Sequence, residues 1–453
     1  MENKETIVKN SGRKLKIALS AVLAAVILCG VFFAGFYTRK FTLPAEVDSY
    51  AWATEVIENN YCGERKKGDI KLDLDGYTPA EVSLKALAGT LDDYSAYYTA
   101  KEYAEVLKDN SGEKSGVGVT TNFIKDRGAY VVGVSGNSPA FKENVQAGDV
   151  FVAGQAAGAE RVEFKSAADF SGFVNARATG EKFTLFTENG SYNLSKEEYA
   201  ASYAVMYTAT AEYGFCYGGD EDYYYRLTTK MDFLPSDTAY IKLSQFYGNA
   251  ANEVGYLISK FNEENKSKLI LDLRNNGGGY VSVMQNMAGY FLSGGDYSRE
   301  AMIAEYKNGG KSVFGWRNYP AESALKEETE VYVLANSNTA SASEALIGVL
   351  VSYGVLEYEN IILSDYTENY LSWAGANAKT ERTYGKGIMQ TTFKNDFTGE
   401  AFKLTTARIL WPNGKCIHNV GLTTADGCRT APADWTATAN DEELRFAVKN
   451  YMQ

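Results

Sequence analysis

The sequence is poorest in histidine. His418 is the only one in 453 residues, so no cluster of imidazoles can hold a metal ion, and nearly every mechanism that needs an imidazole base is removed. Its segment, PNGKCIHNVGL, suits a structural role better than a catalytic one. Cysteine is sparse as well. Cys29 falls in an apolar N-terminal run, and Cys62, Cys216, Cys416 and Cys428 are scattered without a C-x-x-C pair. This is no disulfide framework; Cys416 and Cys428 either pair across a short loop or stay as free buried thiols. Basic charge is in deficit too. Lys and Arg total 45 against 57 Asp and Glu, a net charge of −12, so there is no footprint for a nucleic-acid backbone. No metal and no cofactor are expected.

What is present points to a multidomain chain. The length calls for two or three domains, and 45% hydrophobic residues supply a sizeable core. Ile17 to Tyr37 carries no charge and as a helix is about 30 Å long, enough to cross a bilayer core. Lys4, Lys9, Arg13, Lys14 and Lys16 precede it, and only Arg39 and Lys40 follow closely. The positive-inside rule then puts residues 1–16 in the cytoplasm and the remainder outside, as a single-pass protein of the cell membrane. A cleavable signal peptide would have a shorter apolar region and a small-x-small site, which Ala34 to Thr38 lacks.

After the proposed anchor, residues 41–113 read as a helical region. Ala45 to Tyr61 has apolar residues at helical spacing, and Pro79 opens a helix through Ala88. The aromatic stretch LDDYSAYYTAKEY follows. At Ser115 the character changes to short β-like runs, Ala129 to Val134, Val150 to Ala153 and Phe183 to Thr187, with a helix over Ser166 to Ala176. Together with Ser138-Pro139-Ala140 and Ala147-Gly148-Asp149 these features resemble a PDZ domain over residues 115–195. Gly116, Val117, Gly118 and Val119 stand where that resemblance places a carboxylate-binding loop, and successive N–H groups in such a loop cradle an anion. An adjacent strand edge can accept an extended peptide. Tyr199 to Phe233 is rich in tyrosine and carries no readable motif. From Thr238 the pattern is strand (Tyr240 to Leu243), helix (Asn249 to Asn262), strand (Leu269 to Leu273) and helix (Val281 to Phe291), and it recurs at Val331 to Leu334, an α/β core.

The chemistry is best sought where those strands end. Val331 to Leu350, VYVLANSNTASASEALIGVL, reads as strand, polar turn and helix, with Ser341 and Glu344 at capping-box spacing. Such a turn also sets a serine beside N–H groups at a helix's positive end. Arg274-Asn275-Asn276-Gly277-Gly278-Gly279 fits a tight turn or a loop offering N–H groups to an oxyanion. It is neither G-x-G-x-x-G nor a P-loop, and Gly309-Gly310-Lys311-Ser312 lacks the earlier glycine of a Walker motif. A nucleophilic serine needs a proton acceptor. Lys386, between Gly385 and Gly387 ahead of an apolar strand, can serve if burial lowers its pKa, or can be a lysine of an exposed hairpin. Gln390 stands where it could fold back on the amine.

Five motifs in order, LDDYSAYY, LDLRNNGGG, NTASASEAL, GKGIMQ and TTARILWPNGKCIH, resemble those of the carboxyl-terminal processing proteases over nearly all of Ala45 to Gln453. That resemblance implies a core over 199–453 similar to the ClpP and crotonase folds, with an inserted PDZ-like domain. It implies Ser341 as nucleophile, Lys386 as general base, Gln390 as its orienting residue, and an oxyanion hole of Ala342 with Gly277 or Gly278. Partners would be proteins or peptides with accessible C-termini, and the membrane through the N-terminal helix; a homodimer is compatible. The chain departs from the family's pattern at Ser364 to Thr383, which looks like an insertion ahead of Lys386, and at Tyr384, where the aromatic residue before the glycine-lysine differs. An inactive peptide-binding scaffold is the alternative from another class. An acyl-CoA enzyme of crotonase type is the other rival, disfavoured by the outward topology.

Overall fold

Strands covered on both faces have no polar side to alternate with, which is why KLILD and EVYVLA read as almost unbroken apolar runs. In the computed structural model these two runs lie side by side at the centre of the largest sheet. The structure describes residues 76–124, 126–217, 222–229, 231–366, 379–433 and 441–452. The chain divides into a unit ending at Val82 and one beginning at Ser83; the sheets and their cores belong to the second. The proposed anchor at 17–37, the helix at Ala45 to Tyr61 and the cysteines at 29 and 62 lie outside the described residues. Among the described residues no helix is long and apolar enough to cross a membrane.

Helix α1 (Pro79–Gly89) leads to strand β1 (Ala96–Tyr98) and helix α2 (Ala100–Ser111), which Thr99 and Glu102 open with a reciprocal capping box. Residues 41–113 are therefore not wholly helical. The aromatic run LDDYSAYY contributes β1 to a sheet built mainly from the last third of the chain, pairing Tyr97 with Phe402. Next come β2 (Glu113–Gly116), β3 (Val119–Ile124), β4 (Gly128–Val134), α3 (Pro139–Lys142), β5 (Val150–Ala156), β6 (Val162–Glu163), α4 (Ala167–Asn175), β7 (Lys182–Thr187), β8 (Ser191–Ser195) and β9 (Glu197–Ala200). Strands β3, β4, β5, β7 and β8 form one sheet in that order, with β6 on β5, so β3 is an edge strand. Phe151, Phe170, Phe173, Phe183 and Leu185 fill a separate core beneath it. Strands β2 and β9 pair as a two-stranded ribbon where the chain enters and leaves this region.

The tyrosine-rich stretch without a motif proves to be three antiparallel strands, β10 (Ala204–Tyr207), β11 (Ala211–Phe215) and β12 (Tyr223–Leu227). They extend a parallel sheet made by β13 (Thr238–Leu243), β14 (Lys268–Asp272), β17 (Glu330–Ala335), β18 (Ile361–Tyr366) and β21 (Arg429–Ala433). Period-two alternation sends Ile241, Leu271 and Val333 to one face, against the helices α5 (Ala250–Glu263), α6 (Val281–Leu292) and α7 (Ala342–Ser352). Tyr240, Ile270, Tyr332 and Ile362 go to the other, against the closing helix α8 (Glu442–Tyr451). Strands β15 (Glu300–Tyr306), β16 (Lys311–Gly315), β19 (Ile388–Lys394) and β20 (Ala401–Leu410) complete the sheet that holds β1.

The smaller sheet's region is seated on the tyrosine-rich strands. Gly136 N–H donates to Ser202 Oγ at 2.7 Å, and Ser202 N–H to Ser135 Oγ at 3.0 Å. A Cβ on Gly136 would come within 1.9 Å of the Phe215 carbonyl oxygen, so only glycine fits that contact. Between the two sheets lies a cleft of about 1030 Å³, lined by Gly118, Val132, Tyr240, Lys242, Arg274 and Asp441 among others. Lys242 Nζ donates to the Val132 carbonyl across it at 2.7 Å.

Candidate active site

Strands β14 and β17 are parallel neighbours, so the turns that follow them meet at the same end of the sheet, where open α/β sheets form their crevices. The two turns are locked together. Thr339 Oγ1 donates to the Leu273 carbonyl at 2.8 Å, Ala340 N–H to the Asn276 carbonyl at 3.0 Å, and Asn275 N–H to Asn336 Oδ1 at 3.0 Å. Ser343, fully buried, donates its hydroxyl to the Asn276 carbonyl at 2.9 Å. Of the two serines in the SAS run, Ser343 is thus tied up as structure.

Ser341 is different. Its φ is +60° and its ψ is −117°, a conformation costly for a residue with a Cβ and sustained only where surroundings impose it. The chain turns so sharply here that helix α7 begins at the next residue. The glutamate half of the expected capping box is made, with Ser341 N–H donating to Glu344 Oε2 at 3.1 Å.

The glycine run presses directly on this turn. Gly278 has φ +95°, and a Cβ there would fall 2.7 Å from the Ala340 carbonyl oxygen and 2.8 Å from the Ala342 nitrogen. Its own N–H is occupied, donating to Asn276 Oδ1 at 2.9 Å. Among the described residues the N–H groups of Gly277 and Ala342 have no internal acceptor. The pair expected from the sequence, Gly277 or Gly278, is therefore separated: Gly278 provides close approach and Gly277 a free donor. Behind the run, the buried Arg274 guanidinium donates to Asp272 at 2.7 Å, Asp441 at 2.6 Å and Glu443 at 3.0 Å. It ties the turn to the start of α8. Burial pushes the Glu443 carboxyl up to about 7, against the pull of the Arg274 charge.

Sequence reasoning gave Glu344 no part beyond the helix cap. The structure gives it the central one. Its carboxylate, fully buried, accepts from Gly385 N–H at 2.8 Å and the Thr383 hydroxyl at 2.6 Å through Oε1. Through Oε2 it accepts from Lys386 N–H at 2.8 Å as well as from Ser341 N–H at 3.1 Å. One carboxylate thus joins the serine turn to the glycine-lysine loop. Burial raises its pKa, while these four donors pull the other way. Only the Ser341 spacing was visible locally; the remaining donors lie in a distant loop.

Lys386 is half-buried, and desolvation together with the Lys403 charge lowers its pKa below the ordinary lysine value; Asp92 and Glu344 oppose this. Its Nζ lies over the Tyr94 ring, 4.6 Å from the centroid. Among the described residues no hydrogen bond joins it to Ser341. Among the described residues no hydrogen bond joins Gln390 to the amine either: its Nε2 donates to Thr405 Oγ1 at 3.1 Å, because β19 directs it onto the neighbouring β20. His418 packs beside Gly387, where a Cβ would lie 2.8 Å from the His418 nitrogen, and its Nδ1 has no partner among the described residues. The cysteines at 216, 416 and 428 are free thiols, so Cys416 and Cys428 are not paired. Ser341 and Lys386 do not line the large cleft, which reaches the site only as far as Asn275.

Residues 237–357, from the start of β13 to just beyond α7, match the model of peptidase family S41. The chain carries a peptidase family S41 domain. Two protein relatives agree. The carboxy-terminal processing protease CtpA of Bacillus subtilis is 24% identical over 90% of this chain and 76% of its own length. A CtpA-like serine protease of Staphylococcus haemolyticus is 24% identical over 83% of this chain and 64% of its own. The chain therefore spans roughly two thirds to three quarters of these two relatives. An S41 protease structure from Bacteroides fragilis shares the fold, with a TM-score of 0.50, 13% identity, and coverage of 82% of this chain and 88% of that one. The S41 domain makes this chain a serine-type hydrolase, and both turns described above lie inside it.

Proposed function

We propose that the chain is a serine endopeptidase that recognises the C-terminal tails of protein substrates and cuts them with Ser341 as nucleophile and Lys386 as general base. The observation that carries this reading is the Glu344 carboxylate, which holds the Ser341 turn and the Lys386 backbone on one buried group. A neutral Lys386 amine takes the Ser341 hydroxyl proton as Oγ attacks the scissile carbonyl carbon. The tetrahedral oxyanion is stabilised by N–H groups, those of Ala342 and Gly277. The lysine ammonium then returns the proton to the departing amine, leaving an acyl-enzyme. Water, deprotonated by the same lysine, releases the acid and restores Ser341.

In this reading residues 115–195 act as a PDZ-like domain. A substrate carboxylate docks at Gly116 to Val119 and the tail adds as a strand along the exposed edge of β3, a mode in which main-chain bonds supply affinity. The core is taken as ClpP- or crotonase-like. Residues 17–37 anchor the chain in the cell membrane with the catalytic part outside the cytoplasm. The test is cleavage of an unfolded protein with a free C-terminus. Ser341→Ala should abolish cleavage while the protein still unfolds cooperatively; normal cleavage by that variant would refute the assignment.

A further inference from the structure

Glu344 fixes the backbone of Lys386, not its amine. The four-carbon stem beyond is free to choose between Ser341 and whatever else faces it. What faces it is a ring. Tyr94 sits 4.6 Å from Lys386 Nζ at its centroid, and its hydroxyl donates to the Tyr384 hydroxyl at 2.9 Å, two residues before the lysine. The backbone that carries the ring is itself tied down. Asp92 Oδ1 accepts from Tyr94 N–H at 2.8 Å and from Ser95 N–H at 2.7 Å, and Ser95 Oγ accepts from Thr405 N–H at 3.2 Å on β20. A tyrosine supplied by the N-terminal part of the unit therefore lies against the amine, while the backbone of the same lysine is held by Glu344.

We propose that Tyr94 is a positioning residue for the base: its ring face holds the Lys386 ammonium at rest, off Ser341, and releases the amine once it is neutral. This rests on the reading of Ser341 and Lys386 as nucleophile and base. The physical reason is that an aromatic face attracts a cation and offers a neutral amine far less. Protonation state and position are thereby coupled: the charged lysine is parked, the uncharged one is free to swing to the serine hydroxyl. The other groups facing Lys386 are Lys403, which disfavours its charge, and Asp92 and Glu344, which favour it. Against that background the ring adds to the stabilisation of the charged form, so removing it makes the lysine a base at lower pH.

The test is the rate of inactivation by a fluorophosphonate from about pH 5 to about pH 10, for the full chain and its Tyr94→Phe and Tyr94→Leu variants. Tyr94→Leu should move the acidic limb down by about half a unit to one unit, and Tyr94→Phe, which keeps the ring, should leave it in place. A Tyr94→Leu limb that stays put or moves up overturns the proposal, as would a limb shared by Phe and Leu. So does a Tyr94→Leu protein inert at every pH, because a ring that only parks the base is not needed to build the site. Labelling whose rate Lys386→Met leaves unchanged is a different failure. It removes the Ser341–Lys386 reading itself, and this inference with it.

Discussion

Glu344 Oε2 accepts the backbone N–H of Lys386 at 2.8 Å from the first turn of the helix that Ser341 opens. A side chain that began as a helix cap is thus the joint between two loops remote in sequence. Glu344→Gln keeps the volume but replaces one of the two acceptor oxygens with a donor and removes the charge. At least one of the three backbone N–H donors then loses its acceptor, at about 1–3 kcal/mol when buried. The expected outcome is a fall in turnover of about tenfold to a hundredfold, with a lower melting temperature. Steady-state hydrolysis and thermal unfolding of the variant check it.

Lys386 acts as a base only when neutral, and its pKa is lowered by burial and by Lys403. The sign follows directly. Below that pKa the amine is protonated and the rate falls; above it the rate levels off. The acidic limb should therefore lie below the ordinary lysine value of about 10.4. Lys386→Met should cost about 10²–10⁴ in rate and remove the limb. A pH–rate profile of the parent chain, with the variant alongside, tests both statements.

Gly278 can carry no side chain. A Cβ would meet the Ala340 carbonyl oxygen at 2.7 Å, and φ is +95°. Gly278→Ala should push the glycine run off the Ser341 turn, destabilising the protein by about 1–3 kcal/mol. Losing the oxyanion donors should lower turnover by about 10²–10³. Gly277→Ala, with nothing within 4 Å of its Cβ and no positive φ, should fold normally, so the pair separates space from chemistry.

If the loop at Gly116 to Val119 receives a carboxylate, the substrate's terminal charge matters. Amidating the C-terminus of a peptide substrate should weaken binding by about tenfold to a hundredfold, the loss of one charge-assisted contact. Competition between free and amidated peptides measures it.

Much of this architecture was legible in the sequence, for physical reasons. The buried strands at Leu269 and Val331 announce themselves because parallel strands covered on both faces must be apolar throughout. Ser341 and Glu344 are three residues apart, and that local spacing marked the start of the helix. The site's remaining bonds were hidden because they are not local. Glu344 finds Thr383, Gly385 and Lys386 only after the sheet has brought two distant loops together. Tyr94 reaches Lys386 because β1 joins β20, in a stretch whose composition suggested helix packing. Gln390 was expected on the amine because it follows the lysine by four residues, yet strand geometry turns it onto Thr405. The tyrosine-rich strands carried no motif because their task is to seat a neighbouring region, with contacts such as Gly136 on Ser202 that leave no periodic trace.

The most direct test of the account is where a serine-directed covalent probe attaches. After labelling with a fluorophosphonate, peptide mapping by mass spectrometry should find the adduct on Ser341, with none on the buried Ser343 and its formation slowed at least about a hundredfold in Lys386→Met. An adduct on another serine, or labelling unchanged in Ser341→Ala, would contradict it.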